Sequence, residues 1–175
     1  MTIYFRQLFQ GIMQVNPTLE DTIYCAPDRV FCKIRTIMVG VDGSEGAARA
    51  ATVAFEIGEL TKSKVYIVYI VPLPNIKHIS VMSDVSEEEL LQKYGVNGKR
   101  ILQGYEDASR DFDIQVETIL DKGLPSDMLI ALSEELGVDL VVLGSHGGTT
   151  LMKSGMGSST ERVVLGASCP VFVVK

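Results

Sequence analysis

At 175 residues, 46% hydrophobic and 22% charged, the chain has the size and composition of one globular domain with a sizeable core. A formal net charge of −6 with no basic patch argues against nucleic acid as a partner, and no apolar stretch reaches the ~20 residues of a membrane span. Three cysteines (Cys25, Cys32, Cys169) and two histidines (His78, His146) suit neither a disulfide framework nor a zinc site, so reduced thiols and a cytoplasmic location are expected.

Residues 1–34 read as an N-terminal extension. Phe5, Leu8, Phe9, Ile12 and Met13 share one face of a helix that Asn16-Pro17 should end. The expected role of this face is burial within an oligomer. The segment lacks the continuous apolar core of a secretory signal and the Lys/Arg cluster of a membrane-surface helix.

From residue 35 onward, strand and helix patterns alternate. Residues 37–41 form the first strand, and Asp42-Gly43-Ser44 turns the chain, with Ser44 as N-cap of a helix running to about Leu60. That helix carries a face of small residues, Ala47, Ala50, Ala51, Ala54 and Gly58, suited to close packing on a sheet. Residues 65–71 form the second strand. Pro72 and Pro74 are expected to end it and open a loop through Ser83.

Ser86 followed by Glu87-Glu88-Glu89 predicts a capped helix, with a break expected at residues 95–98, where two glycines stand, and resumption along Ile101, Tyr105, Ala108 and Phe112. Its many charges read as a solvated face. Residues 114–120 alternate as an edge strand does. Gly123-Leu124-Pro125-Ser126 opens a helix with Leu129, Leu132 and Leu136 inward, ended by Gly137. Residues 140–143 and 171–174 are short β-branched-rich runs, as expected of strands buried on both faces of a parallel sheet.

Between those last two runs lies the stretch that carries chemistry. Gly144, Gly147, Gly148, Gly155 and Gly157 suggest a backbone able to adopt positive φ and to approach a ligand closely. Ser158, Ser159 and Thr160 then open a short helix, where free N–H groups, the helix dipole and three hydroxyls favour an anion. A solvent-exposed loop capped by hydroxyl residues is the plainer reading of the same glycines.

The spacing is more particular: Gly144, two residues, Gly147, nine residues, Gly157, then Ser158. It resembles the ATP-binding signature of the universal stress protein family. The resemblance extends to IMVGVDGSEGA at residues 37–47 and CPVFVVK at the C-terminus, so it spans roughly residues 35–175. It implies a Rossmann-like α/β fold of the adenine nucleotide alpha hydrolase-like kind, with an open parallel five-stranded sheet in the order 3-2-1-4-5 and helices on both faces. In such sheets ligands bind beyond the carboxyl ends of the strands at the switch point, here between strands 1 and 4.

The resemblance further implies ATP as ligand, with Mg²⁺ or Mn²⁺. Val41 and Ile70 would line the adenine pocket, Ile70 through its backbone, and Leu143 would pack on the base. Asp42 would meet the ribose or help hold the ion. Gly144 and Gly147 would let the loop pass under the ribose and phosphates, and Gly157, Ser158, Ser159 and Thr160 would hold the phosphates. Lys153 and His146 read as loop residues, and no catalytic residue is assigned. A homodimer through the last strand is expected, with a regulatory partner protein unidentified. Slow hydrolysis, a nucleotide hydrolase or nucleotidyl-transfer enzyme, and a dimerisation module with an empty pocket are the alternatives.

Overall fold

The computed structural model describes residues 33–148 and 155–175. The chain divides into two compact units, Met1–Lys33 and Ile34–Lys175, and every element below belongs to the second. The apolar face expected over Phe5–Met13 and the loop lysine Lys153 lie outside the described residues.

Five parallel strands form one sheet in the order β3-β2-β1-β4-β5. β1 is Thr36–Gly40, β2 Lys64–Pro72, β3 Gln115–Gly123, β4 Leu140–Gly144 and β5 Val171–Val174. Ile37, Met38 and Val39 are fully buried, as are Val141 and Val142, because the two central strands are covered on both faces. Side chains alternate across the sheet. Ile37, Val39 and Val142 pack with Ala50, Ala54, Phe55 and Leu102 on one side, while Met38, Val141 and Leu143 pack with Leu129, Leu132 and Val163 on the other. Helices therefore cover both faces.

Helix α1 (Glu45–Thr61) starts where expected: the Ser44 hydroxyl accepts from the Ala47 N–H at 3.1 Å. All five residues of its small face are buried, and a Cβ at Gly58 would stand 2.8 Å from Val65 Cγ2, so the close approach needs glycine there.

Two expectations fail next to β2. The stretch after Pro72 is not a loop but helix α2 (Leu73–Met82), anchored by the fully buried Ile76. Pro74 falls in its first turn, where a missing N–H costs nothing, so the prolines that end the strand also start a helix. Helix α3 (Glu87–Ala108) runs without a break through residues 95–98. Gly98 is buried, and a Cβ there would lie 2.7 Å from the Tyr69 ring, so this glycine serves close packing and not a kink.

Beyond a short 3₁₀ turn at Ser109–Asp111, β3 takes the sheet edge with nine residues in register with β2, ending at Gly123 rather than near Leu120. Helix α4 (Pro125–Glu135) ends at Gly137, whose φ of 60° is the left-handed conformation that glycine adopts freely. Leu129 and Leu132 are buried, and Leu136 is partly so. Helix α5 (Ser158–Gly166) connects to β5.

Candidate nucleotide site

β1 and β4 are neighbours in the sheet, but their following helices lie on opposite faces. Their carboxyl ends therefore part and leave a crevice, as such switch points do. A cavity of about 410 Å³ opens there, within the size range of small-molecule sites, ~300–1,000 Å³.

All ten residues singled out from the sequence for this role line that cavity. They arrive from four places: Val41 and Asp42 after β1, Ile70 in β2, Leu143 to Gly147 at the end of β4, and Gly157 to Thr160 at the start of α5. The strand-end side chains Val41, Ile70 and Leu143 are buried and apolar, suited to a flat aromatic group.

The glycines do their work differently from the expectation. Among the loop glycines described, only Gly155 has a positive φ, 100°. Gly144 is instead a contact point between elements: a Cβ there would lie 2.7 Å from the carbonyl carbon of Gly46 in the first turn of α1. Gly147 leaves room for a side chain, since its Cβ would stand 2.6 Å from Asp42 Oδ2. Gly157 has φ −62° and a Cβ there would meet its neighbours at 3.4 Å or more, so no backbone strain demands glycine at this position.

Asp42 is tied to the backbone on both sides. Its Oδ1 accepts from the Ser44 N–H at 2.9 Å, and its Oδ2 accepts from the Gly148 N–H at 2.8 Å. The far side of the loop is pinned to β4: the Gly157 N–H donates to the Ser145 carbonyl at 2.8 Å, and the Thr160 hydroxyl to the Gly144 carbonyl at 2.9 Å. The Thr160 hydroxyl hydrogen is thereby spent inside the protein. Of the three hydroxyls expected at an anion, only those of Ser158 and Ser159 lie on exposed residues.

No side chain caps α5, and its first backbone hydrogen bond, from the Glu161 N–H to the Gly157 carbonyl, leaves the preceding N–H groups of its first turn at the cavity. His146 also lines the cavity. Its Nδ1 lies 3.0 Å from the Ser145 hydroxyl, while its buried Nε2 has no partner among the described residues.

Several lining residues were missed. Asn75 in α2 and Tyr94 in α3 form part of the wall, as do Leu124 and Pro125 after β3. Asn75 was hidden by the reading of α2 as a loop. Leu124 and Pro125 could have been found, because β3 also ends at the carboxyl side of a parallel sheet. Tyr69, which also lines the cavity, has its hydroxyl pKa raised, chiefly by burial, against a hydrogen bond with Asn97 that lowers it, and further by Tyr94 and Asp42. Among the described residues no group of three His, Cys, Asp or Glu side chains is arranged to hold a metal, and no helix is long and apolar enough to cross a membrane.

Residues 33–175 match the universal stress protein family. The chain belongs to that family. MJ0531, a universal stress protein of Methanocaldococcus jannaschii, is 28% identical over 141 residues, which is 81% of this chain and 82% of its own length. The solved structure of MJ0577, from the same organism, matches with a TM-score of 0.71 at 28% identity, over 81% of this chain and 96% of that one. A universal stress protein solved with cAMP (TM-score 0.58, 24% identical, 81% of this chain and 96% of that one) and one from Archaeoglobus fulgidus solved with dAMP (0.58, 21%, 82% and 99%) share its fold. The order 3-2-1-4-5 is thus the architecture of the universal stress proteins.

Proposed function

We propose that the cavity binds an adenine nucleotide, ATP with Mg²⁺ or Mn²⁺, and that nucleotide occupancy changes the conformation or partner of this universal stress protein. One observation carries the reading: an apolar slot and an uncapped, hydroxyl-flanked helix start face the same cavity at the sheet's switch point. A base suits the first and phosphates the second. The cAMP and dAMP complexes support it at the level of fold, as adenine nucleotides held by relatives.

In this reading Val41 and the Ile70 backbone face the base, and Leu143 packs on it. Asp42 has unused lone pairs for a ribose hydroxyl. The first-turn N–H groups of α5, with the Ser158 and Ser159 hydroxyls, receive the phosphates. A divalent ion would be held mainly by the phosphates, since Asp42 is the one carboxylate among the described lining residues, and it would neutralise their charge.

The assembly we read is a homodimer through β5. That strand is a sheet edge with Phe172 42% exposed, beside α5, whose Leu165 is 80% exposed. Pairing two such edges would protect them. Val173→Pro would remove a strand donor and yield monomer or aggregate by sedimentation; an unaffected dimer would refute the interface. The free Cys169 suits a reducing, cytoplasmic location.

The test is the mass of the small molecule released when the purified protein is unfolded, followed by calorimetry with ATP, ADP and adenosine, with and without divalent metal. A protein that carries and binds no nucleotide would end this reading. A turnover assay separates a binding protein from a hydrolase.

A further inference from the structure

We propose that Asp42 is a positioning residue for the phosphate end of the site, acting through the backbone of Gly147 and Gly148. This deepens the nucleotide reading and rests on it. The carboxylate follows β1, yet one of its oxygens holds an amide 106 residues away, at the mouth of the glycine-rich loop. Its other oxygen takes the Ser44 N–H, and Ser44 in turn caps α1. The carboxylate is thus aimed from a capped helix start, and both its oxygens are held by the protein's own N–H groups.

Gly147 shows how tightly the loop lies against it. A Cβ at that position would fall 2.6 Å from Asp42 Oδ2, so the side-chain space of residue 147 is occupied by the carboxylate. The glycine at this place in the spacing therefore answers to Asp42, inside the protein. The two sides of the loop are held by different means. Ser145 and Gly144 hold the returning side through their carbonyls, whereas the hydrogen bond described at Gly148 is the one to Asp42. An acceptor-only carboxylate is required, because Ser44 and Gly148 both present donors. Asparagine would offer one neutral oxygen and one donor nitrogen, so it would lose one of the two bonds and weaken the other. The Gly148 bond is lost or weakened either way, while size and polarity are kept.

A ribose ligand and a positioning residue respond differently to an altered ligand. Calorimetry would compare wild type, Asp42→Asn and Gly147→Ala with ATP, 2′,3′-dideoxy-ATP and adenosine, and amide NMR would follow Gly148 without nucleotide. Asp42→Asn should weaken ATP by about tenfold, as for loss of one charge-assisted bond. It should also weaken dideoxy-ATP severalfold, a loss that no ribose hydroxyl can account for, and adenosine by clearly less than ATP. Gly147→Ala, which displaces the carboxylate, should reproduce the pattern. The Gly148 amide proton should move upfield in nucleotide-free Asp42→Asn. If Asp42→Asn leaves dideoxy-ATP affinity unchanged, the residue acts on the ribose alone and the proposal is overturned. Should wild type bind no nucleotide, the nucleotide reading falls by itself. The Gly148 amide then decides the positioning role: an unmoved resonance overturns it, and an upfield shift sustains it.

Discussion

Two aspartates join the same pair of chain segments, one at each end of the sheet. At the amino end Asp139, just before β4, takes the Arg35 and Thr36 N–H groups at 2.8 and 3.0 Å and the Thr36 hydroxyl at 2.9 Å, all on one oxygen. At the carboxyl end Asp42, just after β1, takes Ser44 and Gly148, one on each oxygen. Both span more than a hundred residues. At the amino end the bonds close the structure. At the carboxyl end they border a cavity of about 410 Å³. The same chemistry serves register at one end and the wall of a cavity at the other. The difference arises because the helices after β1 and β4 leave the carboxyl ends towards opposite faces of the sheet.

The sharpest way to break this contrast is Gly144→Ala. The added Cβ meets backbone atoms of α1, which cannot swing aside. Overpacking of this kind costs ~1–3 kcal/mol, and the upper part of that range is expected here, with nucleotide affinity falling as well. Denaturant unfolding and calorimetry would show both losses together; a fully stable Gly144→Ala protein would mean that α1 yields more easily than the contact implies.

Asp139→Ala should separate the ends. Hydrogen bonds to a charged group contribute ~1.5–3 kcal/mol each, and partial solvent access reduces this to about 1–2 kcal/mol in total, with nucleotide affinity unchanged. Partial burial raises the pKa of this carboxyl, but the hydrogen bonds from Arg35 and Thr36, with the Arg35 charge, outweigh it and hold the net value below the usual carboxylate range. A folded pKa below the unfolded one means that the contribution is present above the unfolded value and is lost as pH falls through the folded one. Unfolding midpoints measured from neutral pH down to about pH 3 should therefore decline less steeply for Asp139→Asn than for wild type. Parallel acid limbs would show that Asp139 contributes nothing to acid sensitivity.

The smallest stability effect, and a purely local one, is expected at Gly157. With φ −62° and ordinary contacts for a Cβ, Gly157→Ala should fold and bind ATP within about threefold of wild type, under ~0.7 kcal/mol. Gly157→Val adds bulk at the cavity wall and should reduce ATP affinity about tenfold, with a smaller effect on adenosine. Equal ATP binding by Gly157→Val and wild type would take the phosphates away from this helix start.

Much of the fold was legible in the chain. Buried parallel strands announce themselves as β-branched runs such as Leu140–Leu143, and the small face of α1 has a period that only a packed helix explains. Helix α2 was not legible, because Pro72 and Pro74 signal a strand end and a helix start with the same residue type. Nor was the continuity of α3 through Gly98, whose reason is the Tyr69 ring brought against it by the fold. At the site, the glycines and hydroxyl residues of the loop were readable from their spacing, and Val41, Ile70 and Leu143 from the family resemblance, whereas the duties of Gly144 and Gly147 were not. Those duties are set by Gly46 and Asp42, partners about a hundred residues away, and no local pattern records such contacts.

Two helix starts look onto the same crevice. α1 comes with an anion of the protein's own, the Asp42 carboxylate two residues before its cap, while α5 has no side-chain cap. The crevice is therefore electrically lopsided. In the proposed reading, a guest with a negatively charged tail and a hydroxylated middle would have one favourable way in, tail towards α5, since the reverse orientation would set like charge against like. If a nucleotide is that guest, its orientation would be decided here before any contact to its base is made.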